Sequence, residues 1–346
     1  FKEMTLKFLD TYQIEAVVNT TISNKKKLKP KLERKCRFCG LSMPDVSFRK
    51  DAHMIPEMLG NKLFFSDFEC DSCNGIFGTY EDQFGRILEP DRTLYEVKGK
   101  RNKIPTFDPI KENIRIESGH FFGKKSLNMS RKATDGKTFS LDKENGILNI
   151  NFDLHSFSPQ KAYKFLLKIA LSMIPEDEVE RDYQNALDYL LNKTNRKLVG
   201  GLVSGYYINP MRFNTQVFLF RKKDVKLPTF THFIAFYTLN RIYALPITLN
   251  KNDFWFYGKT IEAINYPPLF VGRKVDFDKI KIEPFSGIFS SVDKSKGKRT
   301  ISIPVGKKKW VKIDPETEQK IMGTDSELNI DEIAGIVLVE EDVKKE

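Results

Sequence analysis

Several things are scarce in this 346-residue chain, and each scarcity narrows the reading: it holds 4 cysteines, 4 histidines and 2 tryptophans, and too few acidic residues to balance its lysines and arginines. No apolar run approaches the roughly 18 to 20 residues that cross a bilayer, and no basic segment followed by an apolar stretch opens the chain. A membrane or secreted protein is therefore not expected, and a cytoplasmic one is. There is no internal repeat and no low-complexity tract, which argues against solenoids and arrays. Strands and helices do not alternate regularly, so a doubly wound parallel sheet is not expected.

What is present describes a globular protein: 40% hydrophobic, 30% charged and 12% aromatic residues, with 28 phenylalanines as core material. The length suits two ordinary domains. A net charge of +11 and a pI near 9.2 draw the chain toward polyanions, because each phosphate neutralised by Lys or Arg releases condensed counterions. Charge alone does not establish nucleic-acid binding.

All the cysteines fall in one short stretch, as the pairs Cys36-x-x-Cys39 and Cys70-x-x-Cys73. In a reducing compartment disulfides are disfavoured, whereas four thiolates in two close pairs meet the tetrahedral demand of zinc. A structural zinc site is the reading, with a redox pair as the alternative.

The chain divides into an N-terminal segment and basic linker (1–33), a compact segment (34–105) and a larger region (106–346). Residues 24–37 are lysine- and arginine-rich, as a solvated linker or a phosphate-contacting arm would be. Strands are expected at 46–52 and 63–68, then a helix from Asp71 on which Ile76, Phe77, Tyr80, Phe84, Ile87 and Leu88 share one face until Pro90 stops it. Asn145-Gly146 between two alternating runs predicts a hairpin with a type I′ turn. Ser158-Pro159 caps a helix through Met173, with a companion over 176–191. Further strands are expected at 114–117, 215–220, 230–239, 242–248, 254–257, 300–305, 310–313 and 336–339. The other histidines, His120, His155 and His232, have no cysteine or acidic cluster at ligand spacing and read as structural.

Between the cysteine pairs stands Asp51-Ala52-His53-Met54-Ile55-Pro56, then Gly60-Asn61, and the second pair runs into Asn74. This set resembles the HNH, or ββα-metal (His-Me finger), nucleases stiffened by a zinc knuckle, over roughly residues 34 to 88. The resemblance implies a small zinc-stabilised ββα-metal nuclease domain, and with the strand and helix signals beyond it the chain reads as an α+β protein in which that domain is followed by a larger β-rich domain with a helical pair. It also implies that His53 is the general base, that Asn74 is a ligand of a catalytic Mg2+ or Mn2+, and that Asn61 is the middle, geometry-setting residue. Phosphodiester hydrolysis needs a base to take a proton from water, and an imidazole with an ordinary pKa of about 6.5 can serve. Lys35, Arg37, Arg49 and Lys50 are the candidate nucleic-acid contacts.

The sequence departs from the family where a ligand commonly precedes the histidine, because Ala52 cannot coordinate. Asp51, one step away on an expected strand, would face the opposite side. Gly78 stands where some relatives carry a further ligand. Glu81 shares a helix face with Asn74, but about 10 Å of helix rise separates them.

The expected function is a metal-dependent endonuclease acting on DNA, with the choice of DNA over RNA resting on the resemblance alone. Similar domains serve as bacterial antiphage or restriction effectors, gated by a second domain, by a short Argonaute with its guide, or by a cyclic oligonucleotide, and some assemble on activation. The alternative is a non-catalytic zinc-ribbon protein that binds nucleic acid.

Overall fold

The computed structural model describes residues 2–20, 28–99, 102–108, 114–121, 123–131, 138–195, 203–207, 213–253, 280–284, 298–304, 310–313, 320–323 and 335–339. In chain order the helices are α1 (Lys2–Thr11), α2 (Asp71–Leu94), α3 (Pro159–Met173), α4 (Glu176–Asp182) and α5 (Gln184–Leu190). The strands run β1 (Tyr12–Asn19), β2 (Ala52–His53), β3 (Phe65–Ser66), β4 (Ile114–Phe121), β5 (Lys124–Arg131), β6 (Phe139–Asp142), β7 (Ile147–Asp153) and β8 (Val203–Tyr207). They continue as β9 (Phe213–Lys222), β10 (His232–Leu239), β11 (Arg241–Ile247), β12 (Ile280–Pro284), β13 (Lys298–Pro304), β14 (Trp310–Ile313), β15 (Lys320–Gly323) and β16 (Gly335–Val339).

The chain forms two compact units, and neither follows a linear boundary near residue 105. The first takes 1–91, 97–103 and 157–295; the second takes 92–96, 104–156 and 296–346. The N-terminal segment is also no mere linker, since β1 pairs antiparallel with β9. The helical region expected in the second domain belongs instead with the cysteine pairs.

In the first unit the strands form an antiparallel sheet of order β1-β9-β10-β11-β8-β12, and its central strands β10 and β11 are covered on both faces. On one face Phe8 and Tyr12, at the end of α1 and the start of β1, pack with Phe218, Phe220, Phe233, Ala235 and Tyr237. On the other, Phe84 of α2 stacks on Phe165 of α3 at 4.5 Å and meets Tyr243 and Phe236 at 5.1 and 5.9 Å. Every residue of β10 is therefore buried, which is why His-Phe-Ile-Ala-Phe-Tyr-Thr-Leu shows no clean alternation.

In the second unit β16-β5-β4 and β13-β7-β6 form two antiparallel sheets, and Ile114, Ile116, Met129, Phe139, Leu148 and Ile150 share a core. A separate pair, β14 with β15, completes its described strands.

Four expectations need correction. The helix from Asp71 passes through Pro90 to Leu94, because Ile87 and Leu88 are buried and Asp91 pairs with Arg241 of β11 at 3.1 Å, anchors that outweigh one lost backbone hydrogen bond. The two strands around His53 shrink to two residues each. The 176–191 helix breaks at Tyr183, whose buried hydroxyl is tied to His232 Nδ1 at 2.6 Å. The β6–β7 hairpin forms, but with a four-residue turn over 143–146 rather than a type I′ turn: the Asp142 carboxylate accepts from the Asn145 backbone and side chain, and only Gly146 takes a positive φ of 61°. Ser158 caps α3 as expected, accepting from the Lys161 backbone N–H. The strand expected at 254–257 lies outside the described residues.

Candidate active site beside a four-cysteine knuckle

The knuckle begins with a tight turn in which Gly40 donates its N–H to Cys36 O and takes φ +76°, a conformation that favours glycine. Cys36 donates its N–H to Leu41 O, and Arg37 donates its own to Phe68 O, which docks the turn on the chain entering the second pair. Cys70 lies immediately before α2 and Cys73 in its first turn. The four Sγ atoms lie within 4.8 Å of one another, with Cys39 and Cys70 at 3.9 Å. A tetrahedron with zinc–sulfur bonds of about 2.3 Å has edges of about 3.8 Å, so the donor set fits zinc.

The thiols also show what such a cation would do. A hydrogen bond from Cys73 brings Cys36 down to about 5, whereas burial pushes Cys70 up to about 12, and Cys73 is raised by its bond to Cys36 and by burial. One thiolate forms readily and makes the others harder to ionise. A divalent cation at the centre would favour the thiolate form of all four.

The first residue of α2 clamps the strand approach. Asp71 accepts from Ser47 Oγ at 2.6 Å and from the Arg49 and Lys50 backbone N–H groups at 2.9 and 3.0 Å, while its own N–H donates to Ser47 O. Against the upward push of burial, those bonds hold its carboxyl well below the usual range. The chain then enters β2, where His53 pairs with Phe65 and the two rings lie 4.5 Å apart.

His53 and Asn74 line one cleft of about 240 Å³, with Lys50, Asp51, Glu57, Glu69, Glu81 and Lys168 among its polar residues. Asp51 does not turn away as a strand residue would, because β2 starts one residue later; it lines the cleft and pairs with the buried Arg34 at 3.1 Å. Glu81 opens into the same space despite its distance along α2 from Asn74.

Other predicted residues sit elsewhere. Asn61 is fully buried and does not line the cleft: its side chain donates to Ile55 O and Phe64 O and accepts from the Leu63 and Phe64 N–H groups. It shapes the loop after His53 and cannot reach a substrate. Arg37 is spent on the end of α3, where it donates to Leu171 O, Ser172 O and Ile174 O and lies 4.0 Å over the Phe68 ring. Lys35 pairs with Glu180 at 2.6 Å on the surface, and Arg49, 86% exposed, lies 3.4 Å from Asp71. Lys50 is the one basic candidate at the cleft itself.

Lys168 was missed, as were Glu57 and Glu69. Its signal was faint: Lys164 and Lys168 stand one turn apart within the apolar run of α3.

Residues 36–86 match the family model of the HNH endonucleases. The matched HNH segment spans the knuckle, β2, β3 and the first part of α2, so His53 and Asn74 fall inside it. Lys168, on the wall of the same cleft, falls outside. No curated protein and no solved structure matches the chain.

A second polar cluster corrects the picture of His232. Tertiary structure brings Glu15 and Glu178 to it, with Nε2 3.0 Å from Glu15 Oε2. Arg221 pairs with both carboxylates, and, against burial, its bonds and those of His232 hold Glu15 below the usual range. The arrangement ties β1, α4, β9 and β10 together.

Proposed function

We propose that the protein is a metal-dependent endonuclease that hydrolyses DNA phosphodiester bonds, with His53 as general base. The observation that carries this is the meeting of His53 and Asn74 in one acidic-walled cleft inside the matched HNH segment. In this reading the ring of His53 accepts the proton of the attacking water, and Pro56 and Phe77 limit access of bulk solvent. Asn74 offers an oxygen for Mg2+ or Mn2+, which would supply charge stabilisation at the phosphate and leaving oxygen. Among the described residues no three His, Cys, Asp or Glu donors in the cleft lie close enough to form a ready cage, which suits a cation that keeps several waters, as magnesium does. Zinc in the knuckle holds the approach to β2 against α2. Lys50, in the cleft lining, and the exposed Arg49 before it contact the phosphate backbone.

The setting we propose is an antiphage or restriction effector gated by the rest of the chain. Its support is the family resemblance, the net charge of +11 and a cleft wall borrowed from α3. A guide-carrying short Argonaute would bring copurifying nucleic acid, whereas a cyclic-oligonucleotide trigger would make cleavage depend on its addition.

The test is cleavage of duplex and single-stranded DNA by the purified chain with Mg2+ or Mn2+, beside His53→Ala. Loss of a general base costs about 10²- to 10⁴-fold. Activity untouched by the substitution sinks the assignment, and DNA binding without cleavage under every trigger leaves the non-catalytic zinc-ribbon reading.

A further inference from the structure

The wall of the cleft formed by α3 carries a lysine with no part in the chemistry above. The Lys168 side chain is 6% exposed, and its Nζ lies 2.9 Å from Glu69 Oε2, on a carboxylate that is 1% exposed. The same Nζ donates to His53 O at 2.9 Å and reaches Met54 O at 3.4 Å. Two of its three N–H donors go to the backbone carbonyls, and the Glu69 carboxylate lies at ion-pair distance. Lys168 therefore has little left to offer a phosphate.

What it joins is more informative. His53 ends β2, a strand held by a ladder of only two residue pairs, and Met54 follows it directly. Glu69 directly precedes Cys70 and the start of α2, the helix that presents Asn74. One buried cation thus fixes the strand carrying the base against the helix start carrying the metal ligand. It does so from 115 residues further along the chain, on a helix that is itself packed on the sheet.

We propose that Lys168 is a positioning residue that sets His53 relative to α2, so that the seat of α3 on the sheet controls the geometry of the cleft. The inference rests on the nuclease reading for its effect on rate. Its effect on the His53 ring can be measured without that reading.

The decisive variant is Lys168→Met combined with Glu69→Gln in the full chain. Lys168→Met alone strands a buried carboxylate and is expected to weaken folding. The double variant removes both charges at similar volume but leaves the His53 and Met54 carbonyls without their donor. We expect its melting temperature and zinc content to return toward wild type, kcat to stay about 10- to 100-fold low, and KM to be unchanged. The His53 imidazole signal, assigned by His53→Ala among the 4 histidines, should move in an NMR spectrum while the other three stay. Recovery of wild-type kcat with an unmoved His53 signal would reduce Lys168 to a counter-ion and overturn the proposal. If the wild type cleaves nothing under every trigger, the nuclease reading fails, and the His53 signal alone decides: movement supports positioning and a fixed signal refutes it. Should the double variant not fold, Lys168→Arg carries the test, since it keeps the charge beside Glu69 but displaces the donors. A lowered kcat with intact zinc and melting is expected, and full activity with an unmoved His53 signal refutes.

Discussion

Two parts of the first unit hold their shape by opposite means. From Cys36 to Glu81 the chain has two strands of two residues each, and it is fastened by four thiols, the Asp71 clamp and the Lys168–Glu69 pair. From Phe213 to Ile247 three long antiparallel strands are fastened by rings and branched side chains buried on both faces. A site that must leave polar groups open to a substrate cannot be stabilised by covering them with apolar surface. It needs tethers of high energy per residue, whereas the sheet sums many small contributions.

The strongest way to break this contrast is to remove the metal. Wild-type protein should carry about one zinc per chain, and Cys70→Ser or a strong chelator should remove it, since structural zinc is worth about 10 kcal/mol or more. Cleavage should vanish and limited proteolysis should cut within residues 36–69, while the strand signal in circular dichroism persists. A variant that keeps its zinc, or a metal-free wild type that resists protease, contradicts the tether view.

The converse is a lesion in the sheet. Phe236 is fully buried and meets Phe84 and Phe165 at 5.9 and 6.4 Å. Phe236→Ala should cost about 3 to 5 kcal/mol, read as a lower melting temperature for the whole unit with zinc still bound below the transition. A melting temperature within a degree or two of wild type would mean the stack is not the core it resembles.

The smallest effect concerns Lys164, the other lysine of α3, whose Nζ donates to Asn192 at 2.7 Å and lies 4.2 Å over the Tyr189 ring. Burial, with a lesser push from Lys161, lowers it from the ordinary 10.5 to about 8. Between those two values the unfolded chain holds the proton more tightly than the folded one, so stability from this site rises with pH. The stability difference between wild type and Lys164→Met should therefore shift in favour of wild type from pH 7.5 to 9.5, by on the order of 1 kcal/mol. A flat difference would show that the site stays charged throughout.

Much of this was legible along the chain where the signal is local. The cysteine spacing, the His53 and Asn74 motif, the Ser158 cap and most strand positions depend on neighbours a few residues away. Pro90 and Asn145-Gly146 misled because distant or side-chain contacts, Asp91 with Arg241 and Asp142 with Asn145, overrode local preference. Arg37 read as a phosphate contact for the same reason: nothing nearby in sequence shows that it faces the carbonyls at the end of α3. Asn61 belongs to the motif, but only its hydrogen bonds show that it builds a loop.

The sequence by itself brought out the four cysteines, His53 and Asn74, because groups set at short fixed spacings are legible without the rest of the fold. Tertiary structure alone decided what surrounds them. Glu81, Asp51 and Lys168 enter one cleft from a helix, a loop and a distant helix. His232 meets Glu15 and Glu178 across the sheet. Such meetings depend on which apolar faces bury against one another, and that choice is made by the whole fold rather than by any local run of residues.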